Sequence, residues 1–321
     1  MKVLFLRFSS IGDIVLTTPV VRTLKKQTNA EVHFLAKESF EAVIRNNPYI
    51  DKKYFFKNGI DEILELLKKE KYDYIIDLQK NARSYKLKNE LGVKSFTFDK
   101  LNVRKWLTVN FKMDVLPPVH IVDRYMKSVA PLNIKNDGAG LDYFITAEDE
   151  KVIEKLPNSH SKYIAWVIGA KHYTKRLPID KMISIAKKIK SPVILLGGNE
   201  DFESGEKIVA AAGSNFFNGC GKFSLNESAA LVKHSQKVIT HDTGLMHIAA
   251  AFKKEIISVW GNTIPQFGMY PYYGESETKS VVLEVNGLSC RPCSKIGYEK
   301  CPRGHFKCMR LIDESVFTTL L

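Results

Sequence analysis

No apolar run in this 321-residue chain approaches the roughly 20 residues that a helix needs to cross a bilayer. The apolar stretch at the N-terminus is short and no small-residue cleavage site follows it, so it reads as a strand and not as a signal peptide. A cytoplasmic protein is expected. The glycine fingerprint G-x-G-x-x-G is also missing, which argues against a dinucleotide-binding opening. No helix-turn-helix, RNP-like or other nucleic-acid module is recognisable, and no repeat or low-complexity segment is evident. Cysteine is scarce: before residue 290 only Cys220 occurs, and it reads as a buried or loop thiol.

What is present is an ordinary globular composition, 45% hydrophobic and 26% charged, with one outlier, a net charge of +13. That excess implies an anionic partner: nucleic acid, an acidic membrane surface or a phosphorylated substrate. The missing nucleic-acid modules weigh against the first.

Strand-like runs alternate with helical patterns throughout, the signature of βαβ units and parallel sheets. The first half reads as strands near 2–8, 31–36, 53–57, 72–78 and 93–98, with a further short strand at 141–145. A surface helix at 148–156 leads into a linker at 157–159. A second series follows near 163–168, 192–197, 215–218, 237–240 and 255–260, with a last run at 281–285. The length suits two domains of roughly 150 residues. The expected fold is α/β, two Rossmann-like domains facing each other across a cleft, at 1–157 and 158–321.

Two blocks sit where open α/β sheets place ligands, at the carboxyl ends of strands. The first is Ser9-Ser10-Ile11-Gly12-Asp13, directly after the opening strand. Beyond it, Pro19 is either a tolerated kink or the first helical residue after a Thr18 N-cap. The second block is His241-Asp242-Thr243-Gly244-Leu245-Met246-His247, after the 237–240 run. Its turn offers N–H groups, a hydroxyl and the positive end of a helix dipole, a combination suited to phosphate. His247, three residues past Gly244, would face the same anion. The alternative is a plain strand-to-helix turn capped by Asp242 or Thr243.

Together these blocks resemble the heptosyltransferases, glycosyltransferase family 9. Asp77-Leu78-Gln79 with Arg83-Ser84, Lys175-Arg176-Leu177-Pro178, Gly197-Gly198-Asn199-Glu200 and Trp260-Gly261-Asn262-Thr263 carry the likeness along nearly the whole chain. The resemblance implies the GT-B fold and an inverting transfer of heptose from ADP-heptose to the Kdo/heptose inner core of lipopolysaccharide. It implies no cofactor for catalysis, and no D-x-D triplet occurs here.

By the resemblance, Asp13 is the base that deprotonates the acceptor hydroxyl, with Ser10 and Gly12 beside it on the acceptor side; alternatively Asp13 caps its helix. An ordinary aspartate is a weak base, so its environment must raise its basicity or it must act late. Lys175, with Thr174, matches the family's diphosphate site. A leaving diphosphate without a metal needs preorganised cations and N–H donors, which Lys175, Thr243 and Gly244 supply. His247 either touches the phosphate or holds the loop, and Asp242 either binds a sugar hydroxyl or caps the turn. Glu203, or Glu200, is placed against the ribose. On the acceptor side Arg83 is the choice for the carboxylates of the lipopolysaccharide core. Lys100, Arg104, Lys105 and Lys112 form a second basic stretch suited to anionic membrane lipid, which places the enzyme at the inner face of the inner membrane.

Cys290, Cys293, Cys301 and Cys308 crowd nineteen residues, with His305 among them. Three states fit: a structural zinc, free thiols or oxidised pairs. The final segment is expected to pack back on the N-terminal domain. Two rivals stand beside the leading function. One keeps the fold and reaction with another nucleotide sugar or glycan acceptor; the other is a zinc-stapled, basic nucleic-acid-binding protein.

Overall fold

The computed structural model describes residues 1–320. Eleven strands form, each overlapping a run that the sequence marks: β1 (Lys2–Leu6), β2 (Glu31–Lys37), β3 (Lys52–Phe56), β4 (Tyr74–Asp77), β5 (Ser95–Thr97), β6 (Ile164–Val167), β7 (Val193–Leu196), β8 (Phe216–Asn218), β9 (Lys237–His241), β10 (Glu255–Trp260) and β11 (Ser280–Glu284). They divide between two sheets, ordered β3-β2-β1-β4-β5 and β11-β10-β9-β6-β7-β8, with every pairing parallel. Each sheet starts in its middle and winds outward twice, the Rossmann topology. Helices cover the faces, so central strands such as β6 and β7 are buried along their whole length and read as unbroken apolar runs.

Two compact units result. The first comprises Met1–Lys100, Val119–Phe144 and Tyr272–Ser276; the second comprises Leu101–Pro118, Ile145–Pro271 and the chain from Glu277 onward. A single boundary between 157 and 158 therefore does not describe the division. The final segment belongs to the second unit and not to the first. Phe317, in the helix Ser315–Leu320, is fully buried in that unit's core with Phe306, Met309 and Ile312, while Glu314 pairs with Lys181 and Lys188. Burying such a side chain contributes roughly 1.5–3 kcal/mol to holding the tail there.

Two local expectations are corrected. Residues 141–145 form no strand, because their backbone partners lie elsewhere: Asp142 N–H donates to Thr18 Oγ1 at 2.9 Å and the Phe144 carbonyl accepts from Asn46. Just before them, the buried Arg22 binds Asp137, Asp142 and the Gly140 carbonyl. The helix after the short one that carries Asp13 spans Thr18–Thr28 with Thr17 as its N-cap, one residue earlier than a Thr18 cap would give, and Pro19 lies in its first turn. Among the described residues no helix is long and apolar enough to cross a membrane.

Candidate active site

In each sheet the strand order reverses between the two middle strands, and the ends of those strands carry the predicted blocks. In the second unit these are β6, followed by the loop to Lys175, and β9, followed by Asp242 and Thr243. Lys175 Nζ lies 2.6 Å from Asp242 Oδ2, and Thr263 Oγ1 donates to that same oxygen at 3.0 Å. Asp242 therefore does not cap the turn. Thr243 occupies the N-cap position of the helix Gly244–Ala251, but its side chain makes no capping bond and lies 3.4 Å from the Thr240 hydroxyl. A cation, two hydroxyls and a helix N-terminus are thus gathered at one strand end, a set that can receive phosphate oxygens.

The surrounding bonds explain why Lys175 points there. Arg176 donates to the Ala170 carbonyl and pairs with the buried Asp201 at 2.7 Å; Asp201 also accepts from Gly198 N–H. Gly169 leaves room that a Cβ would take from the buried Asp201 carboxylate. His241 is fully buried, and burial together with the Arg176 charge pushes its pKa down to about 3. The neutral ring accepts Leu177 N–H on Nε2 at 3.0 Å, which fixes the chain just past Lys175.

Thr174 is buried, and its hydroxyl both donates to the Tyr298 carbonyl and accepts Tyr298 N–H. It anchors the tail behind Lys175. His247 is 2% exposed, which favours the loop-holding alternative. Glu203 is exposed on the first turn of the helix Phe202–Ala212, while Glu200 folds over Gly198.

Two residues here escaped the sequence reading. Thr263 lies inside the Trp260-Gly261-Asn262-Thr263 block, so its position was flagged although its role was not. Arg291 is the other: its guanidinium donates to the Gly261 and Thr263 carbonyls at 2.6 and 2.9 Å and pairs with Glu284. Gly261 is forced, since a Cβ would meet the Thr174 carbonyl at 2.7 Å.

In the first unit, Asp13 lies on the short helix Ile11–Val15 after β1. Its Oδ1 is 2.6 Å from Arg7, and its Oδ2 accepts the Ser10 hydroxyl at 2.8 Å and Ser10 N–H at 3.3 Å. Asp13 therefore does take part in a capping box, and its second oxygen faces a guanidinium and not an apolar pocket. Arg7 was not singled out from the sequence; the signal was a charged residue closing an apolar strand. It is buried, bonded to the Ser9 and Leu78 carbonyls and to the Tyr125 hydroxyl. Burial alone would lower its pKa, but the charges of Asp13, Tyr125 and Asp77 hold it above the ordinary value. Gly12 is buried and Ser10 exposed beside this pair.

At the end of β4 lies an open groove of about 660 Å³ lined by Lys80, Asn81, Tyr85, Lys86 and Lys88 among others. At its base the buried Asp77 accepts from Lys80 N–H and Ser84 Oγ and pairs with Lys88 at 2.9 Å. Arg83 is exposed on the same helix, Ala82–Leu91, but does not line the groove.

The tail cysteines belong to the second unit. Cys290 Sγ is 3.8 Å from His305 Nε2, and Cys293 Sγ donates to the Cys290 carbonyl. Burial, helped by the neighbouring sulfurs, pushes Cys293 up to about 11 and Cys308 up to about 12. These are the donors a thiophilic cation takes, although no three of their ligand atoms lie within 4.8 Å of one another. Among the described residues that spacing is met by Glu31, His33 and Glu70 in the first unit. There Glu70 is already bound by Lys2, Lys52 and Tyr54, so the cluster is a charge network. Cys220 is fully buried and burial pushes its thiol up to about 12, as suits an inert core residue.

Comparison with known proteins places these features. The family model for glycosyltransferase family 9 (heptosyltransferase) matches residues 61–299. Lipopolysaccharide heptosyltransferase 1 of Campylobacter coli is 26% identical over 289 residues, covering 82% of this chain and 84% of that protein. The glycosyltransferase family 9 structure from Veillonella parvula superposes with a TM-score of 0.79 at 20% identity, covering 99% of this chain and 95% of that one. The E. coli heptosyltransferase WaaC with ADP-2-deoxy-2-fluoro heptose gives 0.65 at 19% identity, covering 92% and 96%. The two parallel-sheet units are those of the GT-B fold. The chain belongs to glycosyltransferase family 9, the heptosyltransferases, and is a glycosyltransferase.

Proposed function

We propose that this enzyme transfers heptose from ADP-heptose to the inner core of lipopolysaccharide, with inversion at the anomeric carbon. The observation that carries the reading is the Lys175–Asp242–Thr263 cluster beside the Thr243-Gly244 helix start, in a family whose relatives are lipopolysaccharide heptosyltransferases. WaaC with an ADP-linked fluoroheptose supports the choice of donor.

In this mechanism the acceptor oxygen forms a bond to the anomeric carbon as the bond from that carbon to the diphosphate oxygen breaks. Asp13 takes the acceptor proton as it leaves, a late transfer consistent with a carboxylate held by Arg7. Lys175 and the donors at Thr243 and Gly244 receive the charge that grows on ADP, so catalysis needs no metal. Asp242 stays with Lys175 and meets a sugar hydroxyl, while Glu203 is assigned to the ribose.

The acceptor carries carboxylates and phosphates. The lysines around the β4 groove, with Arg83 on the same helix, are assigned to it, and the exposed Tyr85 offers a face for a sugar ring. Ser10 and Gly12 complete the acceptor side next to Asp13. The cysteine tail is assigned a structural zinc, drawn from Cys290, Cys293, Cys301 and Cys308, that braces the 261–263 loop: Cys293 N–H already donates to the Asn262 carbonyl. The location assigned is cytoplasmic, at the inner face of the inner membrane.

A thermal-shift series with ADP, UDP, GDP and their sugars tests the donor. ADP at about 100 times its dissociation constant should stabilise the protein by roughly 2.7 kcal/mol. Stabilisation by UDP or GDP in preference to ADP would keep the fold and reaction type but replace the sugar nucleotide.

A further inference from the structure

The helix Asn102–Phe111 comes from the first half of the chain yet belongs to the second unit. It seats Thr108 inward and leaves Val103, Trp106 and Phe111 exposed at 71%, 55% and 61%, with Met113 following at 45%. At about 100° per residue, positions 103, 106, 107, 110 and 111 share an arc of about 140°, so these side chains form one face. The Trp106 and Phe111 rings meet edge to face at 5.2 Å, which makes the face continuous. From Lys100 to Met113 there are four cations, Lys100, Arg104, Lys105 and Lys112, and no acidic residue; with the flanking Asp99 and Asp114 the stretch still carries a net positive charge. Arg104 donates to the Val115 carbonyl and Lys112 to the Val109 and Pro292 carbonyls, contacts that leave their positive charge uncancelled.

Three occupants of this face can be weighed. Among the described residues none covers it, since all four side chains stay exposed. A two-fold partner would bring the same cations face to face, which like charge opposes. An anionic lipid surface answers both the apolar face and the cations around it. At ten residues the helix is about 15 Å long, half of a hydrocarbon core of about 30 Å, so it would lie in the interface and not cross it.

We propose that the helix Asn102–Phe111 is an interfacial docking element for an anionic bilayer. Val103, Trp106 and Phe111 enter the boundary between headgroups and acyl chains, and Arg104 and Lys112 meet lipid phosphates. This deepens the reading of the acceptor as an anionic, lipid-linked saccharide. It is tested on vesicles that carry no saccharide, so its failure is separate from any failure of the donor or acceptor assignment.

Of the three tryptophans, Trp166 and Trp260 are buried, so Trp106 reports alone on lipid. The full-length protein is mixed with vesicles of brominated phosphatidylcholine, with and without phosphatidylglycerol. The expected result is quenching and a blue shift of tryptophan emission only on the anionic vesicles, reversed by salt. Trp106→Ser with Phe111→Ser should abolish co-sedimentation with those vesicles. Arg104→Glu changes the net charge by two and should weaken it roughly thirtyfold, at about 1 kcal/mol for each charge near the surface. Both variants should keep the wild-type melting temperature and its shift with ADP. Unquenched emission on anionic vesicles, or variants that bind them as wild type does, would overturn the proposal. So would a wild-type dimer in light scattering, without lipid, that Trp106→Ser converts to a monomer, since the face would then belong to a second copy.

Discussion

Lys175 Nζ stands 2.6 Å from Asp242 Oδ2, with the Thr263 hydroxyl on the same oxygen. The carboxylate aims the ammonium and the hydroxyl fixes the carboxylate, so the cation is oriented before any diphosphate arrives. Preorganisation of this kind costs nothing at the moment of reaction.

Lys175→Ala is therefore expected to weaken ADP binding by about tenfold to a hundredfold, the worth of a hydrogen bond to a charged group at roughly 1.5–3 kcal/mol. Turnover should fall as well, because charge on the leaving diphosphate grows toward the transition state. Titration calorimetry with ADP, alongside steady-state rates, separates the two effects. An unchanged affinity and rate would move the role to Arg176 or Lys171.

Asp13→Asn should leave ADP binding nearly intact and lower turnover by about two to four decades, the usual share of a general base. The change is nearly isosteric, and the other bonds of Arg7 persist, to the Ser9 and Leu78 carbonyls and to Tyr125. A variant that turns over like wild type would reduce Asp13 to the capping role it also plays with Ser10.

His241 gives a pH dependence whose sign is fixed. Burial, then the Arg176 charge, depress its folded pKa to about 3 from an unfolded value of 6.5. Above pH 6.5 both states are neutral and the stability associated with the buried ring is fully present. As pH falls the unfolded chain gains a proton that the native state refuses, so stability is lost from about pH 6.5 down to about pH 3, by at most about 1.4 kcal/mol per pH unit. His241→Gln removes this term. The gap in denaturation midpoint between wild type and variant should narrow from pH 7.5 to pH 5, and a constant gap would contradict the account.

For the tail, elemental analysis of protein purified under reducing conditions is expected to give one zinc per chain. Chelation should lower the melting temperature, because thiolate ligation links metal to folding. The initial transfer rate of still-folded enzyme should hold, since Lys175 and the Thr243-Gly244 turn handle the diphosphate. Absence of zinc would remove the metal, and immediate loss of activity with the fold intact would give it a part in the chemistry.

The strands were legible because parallel sheets covered on both faces demand unbroken apolar runs, and Ile164–Val167 or Val193–Leu196 read as little else. The stretch 141–145 has the same look but spends its backbone on Thr18 and Asn46, a tertiary fact with no local signature. The side taken by the tail was hidden for a similar reason, because Phe317 declares a need for burial without saying against which sheet. In the candidate site, Lys175, Asp242 and Thr243 were legible as loop residues at strand ends. Thr174 and Glu203 look alike in sequence, yet one hydroxyl is tied to Tyr298 and the other side chain is exposed. Arg7 and Arg291 went unread because each acts on residues far along the chain, Leu78 and Tyr125 for the first and Gly261 and Thr263 for the second.

The most direct test of the central claim is a transfer reaction with ADP-heptose and a Kdo-bearing lipid acceptor, followed by ADP release and by the anomeric configuration of the product. The account predicts one ADP released for each heptose joined, a linkage inverted relative to the donor, and loss of both with Asp13→Asn. A linkage of retained configuration, or an enzyme that ignores ADP-heptose while using another nucleotide sugar, would contradict it.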